Sequence, residues 1–281
     1  MKSYRETLKR GTEEFPFAYY KESYQNHGIN LHWHPELELL YGVDGEVAVT
    51  VSEERRVLKK GDILFINPEE LHSYTAHSQK VEYHAAVFST SLFRFGEPHF
   101  FEQEITNPLL KGELKFPRML SEGHPYYEVI RPIVHRLFYE DIDSRMRTFT
   151  DLIALFGALT ENGLLEKADG EGYKKAEDVK MCILYMEENY GRKIKLSELA
   201  DLMHMSPNYF CSYFKKQTGL SPFAQLNHIR VRRAAKLLRE NRETIVDVAE
   251  SCGFENVSFF IRKFKEMKGC TPSEYRKENM N

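Results

Sequence analysis

The chain has 281 residues, of which 42% are hydrophobic and 29% are charged. This composition excludes disordered, collagen-like and disulfide-stapled classes, and the length fits two domains of roughly 100–200 residues each. Residues 1–173 carry 19 basic and 28 acidic side chains, a net charge of −9, whereas residues 174–281 carry 20 and 14, a net charge of +6. Only the second part therefore has the charge balance that favours a polyanionic partner.

Cysteine usage and the N-terminal sequence both indicate an intracellular protein. The four cysteines form no CxxC pair, which argues against a zinc knuckle and fits a reducing compartment. The first fifteen residues have no apolar core of a secretory signal, and no run approaches about 18 uncharged apolar residues. We therefore expect a soluble protein of the cytoplasm with no membrane partner.

The N-terminal part of the chain has the spacing of β-strands and then of helices. Residues 31–41, 57–68 and 81–88 alternate apolar and polar side chains or carry β-branched runs between turn residues. Several strands at such short spacing predict an antiparallel sandwich or small barrel. From about residue 125 the apolar spacing changes to i, i+3, i+4, which predicts amphipathic helices over 126–140 and 145–163.

The C-terminal hundred residues contain an internal repeat. Residues 196–222 and 245–272 share one pattern, a short helix, a tight turn, a second helix and a Gly and Pro stop. Between the copies, the segment from Pro222 to Glu240 predicts a helix about 28 Å long at 1.5 Å per residue. Because successive major-groove faces of B-DNA are about 34 Å apart, this rod could present two second helices to consecutive grooves.

The repeat carries a family resemblance. The segments IKLSELADLMHMSPNYFCSYFKKQTGLSPFAQLNHIRVRRAAKLL and TIVDVAESCGFENVSFFIRKFKEMKGCTPSEYRK closely resemble the DNA-binding domain of the AraC/XylS family of transcription regulators. The resemblance covers residues 176–277 and implies two helix-turn-helix units bridged by a long helix. Helix phase leaves one side of each second helix exposed. The predicted DNA-binding residues are Asn208, Tyr209, Cys211, Ser212, Lys215, Lys216, Asn256, Ser258, Arg262 and Lys265.

The resemblance and the side-chain chemistry separate base contacts from phosphate contacts. By the resemblance, the base-facing positions hold Asn208, Cys211, Ser212, Ser258 and Arg262. A bidentate contact from Arg262 to guanine O6 and N7 is worth roughly 1–3 kcal/mol of discrimination. The lysines are expected at phosphates, although a solvated surface explains each of them equally well. Ser212 stands where the family often has arginine, so the first unit is expected to contact fewer bases directly.

A second resemblance lies in the N-terminal part. HWHPELELLYGVDG resembles the first cupin motif, HxHxxxE, and GDILFINPEELH resembles the second, with Glu70 in place of the usual glycine. This implies a cupin-like barrel for a small-molecule effector, which AraC-type regulators commonly carry. The predicted effector-binding residues are His32, His34, Glu38, His72 and His84, and the first four also form a candidate metal set. His32, His34 and Glu38 share parity on one predicted strand and so are expected on one face.

Three interpretations of the set His32, His34, Glu38 and His72 stay open. The side chains could hold a divalent transition metal, bind a polar effector such as a carbohydrate, or face solvent. The functional prediction is a one-component transcription regulator without enzymatic activity. The alternatives are a metal-dependent cupin enzyme with an appended helical domain, and an architectural DNA-binding protein without an effector.

The predicted fold class is α+β, with an N-terminal antiparallel β cupin-like barrel followed by helices, and a C-terminal all-α domain with two helix-turn-helix units. The predicted domains are a sensor over 1–120, a helical dimerisation and coupling region over 121–165, a linker over 166–175 and a DNA-binding domain over 176–281. The expected partners are double-stranded operator DNA, the effector and a second copy of the chain, with RNA polymerase added if the protein activates transcription. No cofactor is expected, and a divalent metal in the cupin-like pocket is only one of the open interpretations given above.

Overall fold

The computed structural model describes residues 4–6, 9–25, 28–94, 99–140, 143–168, 171–240 and 243–279. The chain divides into two compact units, Met1–Ala176 and Glu177–Asn281. In these described ranges, no helix combines the length and the apolar character needed to cross a bilayer.

The first unit, here called the sensor unit, is built on antiparallel strands. The strands are β1 Phe17–Gln25, β2 Gly28–His32, β3 Leu37–Asp44, β4 Val47–Val51, β5 Glu54–Leu58, β6 Ile63–Ile66, β7 His72–Ala76, β8 Lys80–Phe88, β9 Leu114–Lys115, β10 Met119–Leu120 and β11 Glu166–Lys167. One sheet has the order β1-β8-β3-β6-β10 and a second has the order β2-β7-β4-β5. The short strands β9 and β11 form a separate ladder, here called the exit strand pair.

Helices follow the sheets within the sensor unit, and further helices make up the second unit. The helices are α1 Asn107–Leu110, α2 Tyr127–Tyr139, α3 Arg145–Glu161, α4 Glu171–Asn189, α5 Leu196–Leu202, α6 Pro207–Thr218, α7 Pro222–Glu240, α8 Ile245–Ser251, α9 Val257–Lys268 and α10 Pro272–Asn279. A 3-10 turn, Thr90–Phe93, and a π-helical turn, Glu102–Thr106, precede α1. This arrangement confirms the predicted α+β fold, while closure of the two sheets into a barrel stays a prediction.

The five-stranded sheet buries both of its faces, and the first six of the eight residues of β3 are accordingly buried. Leu40 points toward the other sheet and packs with Val49 and Tyr74. The neighbouring residue on β3, Leu39, points to the opposite face and packs in the cluster that α2 and α3 cover, with Phe156 of α3. Since successive side chains on a strand alternate in direction, the sheet separates two apolar layers.

The expectation that residues 31–41 form a single strand is wrong. β2 ends at His32 in the four-stranded sheet, whereas β3 begins at Leu37 in the five-stranded sheet. Pro35, which has no N–H to give to a ladder, lies in the bend between them. His34 therefore lies in the connection from one sheet to the other, and its carbonyl oxygen accepts a hydrogen bond from the Glu69 N–H at 2.8 Å.

The segment predicted as a linker, residues 166–175, contains regular structure at both of its ends. Its first two residues form β11, and the Ala168 N–H donates to the Glu113 carbonyl oxygen at 3.0 Å. α4 begins at Glu171, and residues 169–170 lie outside the described ranges. The predicted domain limits themselves stay predictions.

The two helix-turn-helix units of the second unit share backbone detail. At equivalent positions of the two turns, His204 and Gly253 adopt left-handed conformations with φ of 51° and 80°. The amide of the next residue in each turn donates at 3.0 Å to the carbonyl oxygen of Ala200 or Ala249, and both alanines are fully buried. The small alanine side chains let the two helices of each unit approach closely.

The second helix of each unit ends in the same type of glycine cap, and a serine cap begins the helix between the two units. Gly219 and Gly269 end α6 and α9 with φ of 76° and 79°, a left-handed conformation that glycine adopts without steric cost. Ser221 Oγ then accepts from the Ala224 N–H at 3.3 Å at the start of α7. α7 continues without interruption to Glu240, as its sequence predicts.

Candidate DNA interface and effector site

The second helix of each helix-turn-helix unit, α6 or α9, is here called a recognition helix. Phe210 and Phe214 of α6 are fully buried, and so are Phe260 and Phe264 of α9. Residues four apart lie on the same side of a helix, so each recognition helix attaches to its unit by an aromatic stripe. The opposite side of each helix remains open.

The open sides carry the predicted DNA-binding residues. On α6 the exposed members are Asn208, Tyr209, Ser212, Lys215 and Lys216, and Cys211 is half-buried. On α9 the exposed members are Ser258, Arg262 and Lys265. Helix phase therefore places these nine side chains as the sequence predicts.

Asn256 has a structural role that the sequence prediction missed. It lies just before α9, and its Oδ1 accepts a hydrogen bond from the Phe259 N–H at 2.8 Å. This oxygen caps the helix. The two polar atoms of the Asn256 side chain are thus not equivalent, since only its amide nitrogen is left for a ligand.

Arg262 is held on the open side of α9 by its neighbours. Its guanidinium carbon lies 5.4 Å from the centroid of the Phe259 ring. Stacking on an aromatic face restrains a guanidinium without using its N–H donors, all of which can still face a base edge. Lys263, which helix phase places at the edge of the buried side, is half-buried and pairs with Glu266 at 2.8 Å.

In the sensor unit, the fold brings four of the predicted effector residues together. One ligand atom from each of His32, His34, Glu38 and His72 lies within 4.8 Å of the others. Their exposed fractions are 9%, 1%, 7% and 0%, so the solvent-facing interpretation is wrong. β2 and β7 of one sheet supply His32 and His72, and β3 of the other sheet supplies Glu38. The cluster therefore bridges the two sheets.

Backbone carbonyl groups orient all three histidines in the same way. Each Nδ1 faces the carbonyl oxygen of a residue two positions away, at 2.9 Å for His32, 3.1 Å for His34 and 2.8 Å for His72. A carbonyl oxygen can only accept, so each Nδ1 carries the proton. The other nitrogen, Nε2, of His34 and of His72 then faces Glu38 Oε2, at 3.1 Å and 3.3 Å.

The electrostatics of the cluster follow from burial and from the Glu38 carboxylate. Burial, with a smaller contribution from His72 and His34, lowers the pKa of His32 to about 3, so this ring is neutral. Burial also opposes charge on His34, but the hydrogen bond to Glu38 outweighs it and raises the pKa of His34. Despite its burial, the pKa of Glu38 is held well below its usual range by His34 and His72.

His84 does not join this cluster. It points to the face of the five-stranded sheet that the helices cover, and its ring lies 5.7 Å from Phe138 and 5.0 Å from Tyr139 of α2. Burial, with a smaller effect of Lys21, lowers the pKa of His84. The prediction that His84 belongs with the other effector residues is therefore wrong, because strand alternation directs it into the other layer.

The fold also brings groups to the cluster that the sequence did not indicate. Arg10 is buried, donates from Nη1 to Tyr20 Oη at 2.6 Å and pairs with Glu6. Its charge is close enough to contribute to the electrostatics of Glu38 and His34. Nothing in the spacing of the N-terminal residues signals this approach.

A second missed group lies next to His72. Arg118 donates to both carboxylate oxygens of Glu70, at 2.6 Å and 2.8 Å, and to the Phe65 carbonyl oxygen at 2.7 Å. The pair is mostly buried; burial alone would raise the pKa of Glu70, but Arg118 lowers it overall. The replacement of the usual cupin glycine by Glu70 was the one signal of this pair in the sequence.

Comparisons with known proteins agree with both units. The model of the AraC-like ligand binding domain matches residues 14–111, and that of a helix-turn-helix domain matches residues 199–278. An uncharacterized helix-turn-helix-type transcriptional regulator of Bacillus subtilis, YdeC, is 25% identical over 98% of this chain and 96% of its own length. The arabinose operon regulatory protein of Salmonella typhimurium is 25% identical over 83% of this chain and 81% of its own.

Among solved structures, the DNA-binding domain of AdpA in complex with a target DNA is 26% identical, with a TM-score of 0.35. It covers 36% of this chain and 91% of that one. The matched domains and curated relatives are transcription regulators, which sets aside the enzyme alternative. With a ligand-binding domain before a helix-turn-helix domain, the chain is a DNA-binding transcription regulator and belongs to the AraC/XylS family.

Proposed function

We propose that a small polar effector bound in the sensor unit controls how the two recognition helices engage paired sites in operator DNA. The observation that carries the DNA part is the duplicated open face. Two units with matching turns and caps each bury an aromatic stripe and leave polar and basic side chains exposed. Core packing alone does not require both copies to keep such a face.

The residues of these faces divide by chemistry. Arg262 contributes base discrimination, because its donors are free to form a bidentate contact and its guanidinium stacks on Phe259. Lys215, Lys216 and Lys265 contribute salt-dependent affinity through phosphates. Asn208, Cys211, Ser212 and Ser258 complete the base-facing set, with Tyr209 beside them and Asn256 restricted to its amide nitrogen.

The effector site is the buried cluster of His32, His34, Glu38 and His72, and its chemistry favours a ligand rich in hydroxyl groups, such as a carbohydrate. Imidazole and carboxylate groups offer both donors and acceptors to hydroxyls. One relative is named for an arabinose operon, which supports this ligand class. The effector acts only if its affinity differs between the DNA-binding arrangements of the protein.

A selection experiment tests this function and identifies the operator at the same time. Fragments of the host genome are bound to the full-length protein with and without a panel of sugars, and the sugars are first ranked by their effect on the melting temperature. A true effector raises the melting temperature and changes the recovered fragments. If no compound does either while specific fragments are still recovered, the architectural alternative replaces the effector-controlled one.

We propose that the form of the protein that binds DNA is a homodimer formed through α2 and α3. Val129 and Tyr139 of α2 and Met146 of α3 are apolar yet 46%, 44% and 73% exposed. Isologous pairing of this surface would bring two DNA-binding units to two half-sites. The protein would act in the cytoplasm, where its operator is, and would contact RNA polymerase if it activates transcription.

A further inference from the structure

We propose that Ile261, on the open side of α9, contacts the C5-methyl group of a thymine in the operator and so adds to base discrimination. The inference rests on the proposed function and deepens it, because it names a base contact that the predicted set of DNA-binding residues lacks. It is carried by the place of one apolar side chain among polar ones and by the internal repeat.

Ile261 lies on the side of α9 that carries the predicted DNA contacts. Residues three or four apart on a helix are neighbours, and Ile261 follows Ser258 by three positions and precedes Lys265 by four. All three residues are exposed, Ile261 to 36%. Ile261 also lies in the first half of α9, and the N-terminal residues of a recognition helix are those that reach base edges.

Core packing does not account for this isoleucine. The apolar side chains of α9 that pack in the core of the second unit are Val257, Phe259, Phe260, Phe264 and Met267. A single exposed apolar residue would need no explanation by itself. Ile261, however, places a β-branched side chain, with a lower helix propensity than alanine, on a face that is otherwise polar and basic. The stability of the helix gives no reason for it, whereas a contact with a ligand does.

The first unit keeps an apolar side chain at the same place. α6 and α9 both have 12 residues and both end in a left-handed glycine, so their positions correspond one to one. Three corresponding positions carry a polar, an apolar and a basic side chain in each copy: Asn208, Cys211 and Lys215 in α6, and Ser258, Ile261 and Lys265 in α9. The two recognition helices thus share a pattern in which one apolar side chain lies between polar ones.

The two copies differ in how far the apolar side chain extends. Cys211 is half-buried and has one heavy atom beyond Cβ, whereas Ile261 is exposed and branched. At the next position of each helix, Ser212 corresponds to Arg262. We therefore expect the methyl contact and the guanine contact in the same half of the DNA site, the half that α9 meets.

Arg262 does not cover Ile261. Each residue turns a helix by about 100°, so Phe259 lies on the side of Arg262 away from Ile261. The Arg262 guanidinium carbon lies 5.4 Å from the centroid of the Phe259 ring and is thus held on that side. Ser258 lies between Arg262 and Ile261 around the helix. The face therefore presents hydrogen-bond donors on one flank and an apolar group on the other.

The apolar group selects one base. The C5-methyl of thymine is the apolar group that the four bases present in the major groove. Guanine and adenine present an N7 acceptor there, which an isoleucine would cover without pairing, and cytosine presents an amino donor and no methyl. Burial of one methyl group corresponds to about fourfold in affinity. We expect thymine to be preferred over cytosine by about fourfold, and over the purines by more, close to the guanine that Arg262 contacts.

A selection from random duplexes tests this contact without knowledge of the operator. The full-length protein enriches duplexes from a pool copied with dTTP or with dUTP, because deoxyuridine lacks only the C5-methyl group. We expect wild type to select a thymine close to a guanine in one half of the site, and to lose this thymine preference in the dUTP pool. Ile261→Ala should lose it in the dTTP pool and keep the guanine. Copied duplexes carry no methylated cytosine, so the methyl group detected is that of thymine.

Two further variants are matched controls. Ile261→Val keeps both branches at Cβ and should keep the thymine preference. Val246→Ala removes another exposed β-branched side chain of the second unit, on α8 and 47% exposed, and should leave the selected sequences unchanged. Circular dichroism shows whether each variant is folded, so a lost preference is not mistaken for a lost fold.

The outcomes separate this inference from the proposed function. A thymine preference that persists in the dUTP pool would show that the base is selected without its methyl group, and one that persists in Ile261→Ala would assign it to another residue. Identical sequences selected by wild type and Ile261→Ala would place Ile261 at a protein partner instead. Each of these results rejects the methyl contact alone. If wild type enriches no sequence at all, the proposed function fails together with it.

Discussion

The glycine in the second turn offers a sharp test of how the helix-turn-helix units are built. Gly253 has φ of 80°, and a Cβ at this position would lie 2.2 Å from the Tyr190 carbonyl oxygen and 2.9 Å from Arg230 Nη2. A left-handed conformation costs a residue with a Cβ about 1–2 kcal/mol. The overlap adds to this, because relief must move a backbone oxygen that Arg230 Nε already binds at 2.9 Å. We expect Gly253→Ala to lower the free energy of unfolding of the second unit by about 2–4 kcal/mol.

The other repeat supplies the matched control. His204 occupies the equivalent position with φ of 51° and an exposed side chain. Its Cβ is already accommodated, so His204→Ala should change stability by less than about 0.5 kcal/mol. His204→Gly relieves the left-handed strain but adds chain entropy to the unfolded state, so its effect should stay within about 1 kcal/mol.

Urea denaturation of the full chain can report the two units separately. The single tryptophan, Trp33, is buried in the sensor unit, so its fluorescence follows that unit. Far-UV circular dichroism also follows the helical second unit. Gly253→Ala should shift the circular dichroism transition and leave the fluorescence transition in place. Equal effects of Gly253→Ala and His204→Ala would refute the argument from backbone conformation and overlap.

Three further predictions concern DNA contact, the sensor and assembly. Arg262→Ala should weaken operator binding by about 5- to 150-fold and random-DNA binding far less. The control, Lys265→Ala, should weaken both alike. If gel-shift titrations show equal losses of operator and random-DNA binding for Arg262→Ala, Arg262 contacts a phosphate and not a base. Arg118→Met should destabilise the sensor unit by about 2–4 kcal/mol, read from Trp33 fluorescence in urea, because it leaves a mostly buried carboxylate unpaired. Adding Glu70→Met should restore part of the loss, and no restoration would show that the pair is not the cause. Val129→Asp should shift the protein to monomer in sedimentation velocity, and an unchanged dimer would exclude this face of α2 from the interface.

The helical unit was predictable because its signals are local. The positions of Gly219 and Gly269 after two helical stretches fix where each recognition helix ends, and aromatic spacing fixes which side is buried. Caps and helix phase depend on residues within a few positions of each other, so sequence spacing reports them directly. Asn256 shows the limit, since an exposed polar residue at a helix start serves equally well as a cap or a contact.

For the sensor site, the sequence predicts which residues come together better than it predicts how they are arranged. The first motif groups His32, His34 and Glu38, but the expectation of shared parity on one strand is wrong because the chain changes sheets at Pro35. The sequence carries almost no signal of contacts between distant segments of the chain. Arg118 meets Glu70 across 48 positions, and no period in the sequence encodes that meeting.

The exit strand pair also decides where this chain can be cut and rejoined. A fragment ending before Glu166 would strip β9 of its partner, whereas one ending after Ala168 would keep every hydrogen bond of that ladder. A chimera that exchanges the C-terminal module should therefore place its junction at residues 169–170, after the ladder and before α4 begins at Glu171. A foreign module joined there would leave the exit strand pair intact. Its regulation by the sensor unit would therefore depend on the junction and not on which module is attached.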